Sequence, residues 1–160
     1  MDAAVPMIRS PMVLIALFLA ACAAGEPATH SGHVAAVTDT REVVRFPRAL
    51  RSHTLANMRD HLATLQQVQE ALARADYERA ADLAEKRLGL SSLEAHGAHE
   101  VAPYMPQGMQ ELGTGMHKAA SRFAIDASNA GATGDAKPAI AALARLTAQC
   151  VACHAAYRFE

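Results

Sequence analysis

Five residues near the end of the chain, Cys150-Val151-Ala152-Cys153-His154, constrain most of what precedes them. Cys-x-x-Cys-His is the pattern by which a c-type haem is attached: two thiols add to the porphyrin vinyl groups and the adjacent imidazole ligates the iron. The spacing suits a helix. At about 100° per residue, Cys153 lies roughly 60° to one side of Cys150 and His154 roughly 40° to the other. All three share one stripe, as a flat macrocycle lying along a helix requires. Leu143 and Leu146 lead into that stripe and Tyr157 prolongs it, in steps of three and four. The expectation is one haem c, covalent through Cys150 and Cys153, with His154 on the iron.

A redox dithiol and half of a zinc site are the other uses of this spacing. Zinc would need two further nitrogen or sulfur ligands, and the sequence has no second Cys pair. A dithiol more naturally opens a helix after a strand, and no strand is legible.

The first residues set the compartment. Residues 1–21 read as a lipoprotein signal peptide: Arg9 is the positive charge, offset by Asp2, and Met12 to Leu19 is an apolar core too short to span a membrane. Leu19-Ala20-Ala21-Cys22 resembles a lipobox, in which Cys22 takes lipid and begins the mature chain. Ala21-Cys22-Ala23 also fits an ordinary small-x-small cleavage site. With lipid on Cys22 and haem on the other two of three cysteines, no free thiol remains in an oxidising compartment. The implied location is the periplasm, with the membrane as partner through the lipid anchor.

Charge narrows the partners. The chain has 15 basic and 16 acidic residues; without Arg9 and Asp2 it has 14 and 15, still −1. Near-neutrality argues against nucleic acid. No Ser-His-Asp or paired-carboxylate arrangement is visible, so no enzyme is expected.

Residues 22–45 read as a flexible tether, with His30 and His33 as solvated linker positions. From residue 46 the pattern is helical. Leu50, Leu55, Met58, Leu62, Leu65, Val68 and Leu72 form an amphipathic stripe from Pro47 to about Arg74. A second helix is capped by Asp76, carries Tyr77, Ala80, Ala84 and Leu88 inward, and stops at Gly89. Residues 90–106 are irregular, with His96 and His99 as exposed loop residues. A third helix runs from Gln107 to Asn129 on Met109, Leu112, Met116, Ala120, Phe123 and Ala127. After a turn at 131–135, Pro138 opens the last helix, which ends near Arg158. Four helices with short connections predict an all-α, antiparallel four-helix bundle over residues 46–160.

Such a bundle with the haem motif at its C-terminal end resembles the class II cytochromes c, the cytochrome c-prime family, over roughly Pro47 to Glu160. The carrying residues are Cys150 to His154 with Tyr157 and Arg158 after them, the run Asp76-Tyr77-Glu78-Arg79-Ala80-Ala81, and Pro106, Gly108 and Met109. The resemblance implies a periplasmic electron carrier working with redox partner proteins, often a homodimer through its first two helices. It makes His154 the proximal ligand, with Arg158 influencing its electrostatics. Low-spin members place a Met on the first helix as distal ligand, here Met58. High-spin members cover an open position with a bulky apolar residue and bind nitric oxide or carbon monoxide, which is the alternative function. His61, one turn on, rivals Met58; Met105, Met109 and Met116 are lesser candidates. Arg51, two turns before Met58, and Arg48 are candidate partners for a haem propionate.

Overall fold

The computed structural model describes residues 38–160; the stretches expected to be a signal peptide and the first part of a tether, with Cys22, His30 and His33, lie outside the described residues. The unit from Thr38 to Glu160 is mostly helical, in keeping with the all-α expectation. Its helices are α1 (Arg48–Ala73), α2 (Tyr77–Leu88), the short α3 (Ala98–Val101), α4 (Gln107–Thr133) and α5 (Lys137–Ala156). Two three-residue strands, β1 (Glu42–Val44) and β2 (Tyr157–Phe159), pair in parallel at its ends.

Local chemistry sets the helix limits. The backbone N–H of Arg51 donates to the Pro47 carbonyl at 2.9 Å, closing the first turn of α1. That helix ends where Ala75 turns left-handed at φ 55°. Asp76 caps α2, its carboxylate accepting from the Arg79 N–H at 3.2 Å. Gly89 stops α2 in an extended conformation (φ −74°, ψ −175°), and a β-carbon there would stand 2.7 Å from the Glu85 carbonyl. Pro138 lies in the first turn of α5, where Asp135 accepts from the Lys137 N–H at 3.0 Å. α4 passes the expected stop at Asn129 and ends at Thr133, before left-handed Gly134.

Packing runs α1 on α2, α2 on α4 and α4 on α5. Small residues dominate: Ala71, Ala80, Ala84, Ala127, Ala130, Ala139 and Ala142 surround Val68 and fully buried Phe123. This lets helix backbones approach closely at interior packing density. A second cluster of Leu88, Met116, Ala120 and Leu146 carries partly buried Leu65, Leu143 and Cys150 against it. α5 is long and apolar enough to cross a membrane, and three of its residues, Ala139, Ala142 and Leu146, are buried in this core.

Three expectations change. The Leu stripe of α1 is buried only in part: Val68 is buried and Leu50, Leu55, Met58, Leu65 and Leu72 are half-buried, but Leu62 is 70% exposed, and Thr54, Thr64 and Ala71 beside the stripe are buried. The threonines can be buried because their hydroxyls donate to the carbonyls of Leu50 and Asp60, one turn back. The last helix ends at Ala156, so Tyr157 leaves the helical stripe with φ −127° and ψ 150°. Residues 38–45 belong to the folded unit, and strands exist where none was legible. Glu42, Val43 and Val44 pair with Tyr157, Arg158 and Phe159. Val44 is buried and Phe46 meets Phe159 edge-on at 5.1 Å.

Candidate functional site

The strand pair fixes the end of the motif helix. Arg41 donates through Nη1 to the His154 carbonyl at 3.3 Å, and Arg51 Nε donates to the Glu160 carbonyl at 2.6 Å. Arg158 pairs with Asp39 at 3.5 Å, and Arg45 with Glu160. Arg51 and Arg158 both sit at the strand ends, with Arg158 Nε buried and lacking a hydrogen-bond partner, and neither they nor Tyr157 line the cavity described next. Arg48 is exposed at the start of α1.

That cavity, of about 380 Å³, is walled by α1, the 93–105 segment, α4 and α5. α5 contributes Cys150, Cys153 and His154; α1 contributes Met58, His61, Leu62 and Leu65. The structure therefore gathers the motif and both candidate distal residues around one space. Leu62 lines it while largely exposed, which marks the mouth. Met105, Met109 and Met116 also line it, so sulfur and apolar carbon dominate the wall.

Three further imidazole contacts define one side. The ring centroids of His61 and His96 are 4.7 Å apart, those of His96 and His117 5.4 Å, and those of His61 and His117 6.5 Å. His117, buried in α4, has Nδ1 at 2.8 Å from the Leu88 carbonyl and 3.1 Å from that of Gly89. Carbonyls only accept, so Nδ1 carries a proton. His96 is not the exposed loop residue expected. Asn57 Nδ2 donates to the His96 carbonyl at 3.0 Å, and His53 Nε2 also lies 3.0 Å from it, tying the segment to α1. Left-handed Gly97 then turns the chain away. His99, by contrast, is exposed.

Burial disfavours charge on two of these rings and on both thiols. Burial, then the neighbouring His96 and His117, push the His61 imidazole down to about 4, against an opposing pull from Asp60. His96 is lowered by burial and by His117. Burial raises the Cys150 thiol, and burial with the nearby Cys150 raises that of Cys153. A redox dithiol needs a lowered thiol at a helix N-terminus or beside a cation. These thiols sit near the C-terminal end of α5, which opposes the dithiol reading.

His117 is the site residue the sequence reading missed. It shares a face with Gly113, Ala120 and Ala124 at steps of four, three and four. An imidazole amid that small-residue row was the available signal. Among the described residues, no group of three or more His, Cys, Asp or Glu could hold a metal ion by itself. Comparison with family models, with curated proteins and with solved structures gave no match.

Proposed function

We propose that this chain is an exported monohaem c-type cytochrome that carries single electrons, with its main helices forming a four-helix bundle similar to the class II cytochromes c. The carrying observation is that Cys150, Cys153 and His154 line one cavity together with the Met58–Leu65 face of α1. α1 and α5 both border this space without an extensive contact of their own. A bulky apolar cofactor would fill the gap between them. Haem bound there would supply reversible one-electron exchange at iron, tuned by axial ligands and burial.

The chain's own residues divide the work. Cys150 and Cys153 would hold the macrocycle through thioether bonds, and burial keeps both as the thiols from which such bonds form. His154 would ligate the iron from α5, and α1 would supply the second ligand from Met58 or His61. Leu62, Leu65, Met109 and Met116 would exclude water and lower the local dielectric. Lipid on Cys22 would tether the protein to a membrane facing the periplasm, where it would meet redox partner proteins.

Leu62 and Leu65 on the α1 wall also support the alternative, a five-coordinate haem protein that binds nitric oxide or carbon monoxide. Absorption spectra of the haem-loaded protein separate the two. Electron carriage predicts a low-spin spectrum, reversible reduction by one-electron mediators and no uptake of carbon monoxide. A high-spin spectrum with ready carbon monoxide uptake would replace it with the gas-binding reading.

A further inference from the structure

His61 stands one turn from Met58 on the same face of α1, and both line the cavity. The two differ in what they leave unmet. Nε2 of His61 is fully buried and has no hydrogen-bond partner. A buried ring nitrogen without a partner costs free energy that a ligand would recover. The thioether of Met58 is only a weak acceptor and leaves nothing unmet when it merely packs.

The neighbouring rings leave His61 Nε2 without a partner. His96 packs against it at 4.7 Å, and His117 stands at 6.5 Å with its own proton committed to the Leu88 and Gly89 carbonyls. Neither ring donates to His61 Nε2. Among the described residues no group of three or more His, Cys, Asp or Glu could hold a metal ion, so nothing assigns these rings to a metal centre of their own. Imidazole is also a good ligand for iron.

We infer that His61, rather than Met58, is the second axial ligand, giving the iron two imidazoles with His154, while His96 and His117 hold the His61 ring in place. This rests on the haem reading above. Two imidazoles imply a lower reduction potential than His/Met ligation, because a thioether raises it.

The test is near-infrared magnetic circular dichroism and absorption of the haem-loaded protein, wild type, Met58→Leu, His61→Ala and His61→Met. Wild type is expected to show bis-imidazole, low-spin iron with no iron–thioether band, and Met58→Leu to be unchanged. His61→Ala should become high-spin and return to low-spin on adding imidazole; His61→Met should shift the potential upward. A wild-type iron–thioether band that Met58→Leu abolishes would overturn the inference, as would a high-spin wild type indifferent to His61→Ala. Wild-type spectra decide the ligand class even if a variant fails to fold. Haem staining of the denatured wild type is read first: a chain without covalent haem overturns the haem reading itself, and the ligand inference with it.

Discussion

The phenol oxygen of Tyr157 lies 2.5 Å from the point a β-carbon on Gly108 would occupy. The first turn of α4 thus receives the first residue of β2, and a β-carbon at 108 would force the Tyr157 ring to shift. Gly108→Ala should destabilise the protein by about 1–3 kcal/mol through overpacking. The next ring atom is 3.8 Å away, an ordinary contact, so Tyr157→Phe should remove most of that cost. Denaturant titration of the two single variants and the double variant measures the coupling. Additive costs would show that the approach is not a real constraint.

Ala75 holds a left-handed conformation, φ 55°, in the connection between α1 and α2. An L-residue with a β-carbon pays roughly 1–2 kcal/mol there, partly offset in glycine by its freer unfolded state. Ala75→Gly should therefore stabilise the fold by about 0.5–1 kcal/mol. Loss of stability in thermal or chemical unfolding would refute the strain.

Asp126 is buried on α4 between Arg122 at 3.2 Å and Arg145 of α5 at 3.7 Å. Both guanidiniums are well exposed, so the pairing is asymmetric. Asp126→Ala leaves two solvated cations and should cost on the order of 1 kcal/mol. Removing both arginines strands a buried carboxylate and should cost more, about 2–3 kcal/mol. Urea unfolding of the variants checks that order.

Acid should loosen the segment leading into β1. Hydrogen bonds from the Arg41 side chain and backbone hold the exposed Asp39 carboxyl at about 2, below its ordinary 3.8. The folded state thus binds this proton less tightly than the unfolded chain. Its contribution is present above the ordinary value and fades as pH falls through about 2. Amide exchange of residues 39–44 should rise across that window in wild type and be high throughout in Asp39→Asn. Equal exchange in both proteins would remove Asp39 from the account.

The helices were legible because their punctuation is local: Asp76 before α2, Gly89 after it and Pro138 within one turn of α5's start. The strand pair was not, because each partner is three residues long and the rest of the domain lies between them. Without β1 in view, Tyr157 falls on the helical stripe of Cys150 by angle alone. Met58 and His61 were named through the resemblance, which expects a distal residue on the first helix, and the structure places both in the cavity wall with Leu62 and Leu65. Leu62's exposure and the burial of Thr54 and Thr64 were not legible, since hydropathy ignores hydroxyls that satisfy themselves on their own helix. His96 and His117 meet only through tertiary packing, which no single-helix pattern encodes.

The most direct test of the haem reading is the mass of the chain after denaturation, with haem-stained gels, for wild type and Cys150→Ala/Cys153→Ala expressed in haem-competent cells. The account predicts one haem retained by each wild-type chain and none by the double variant. A wild-type chain from haem-competent cells carrying no covalent haem, or staining undiminished in the double variant, would contradict it.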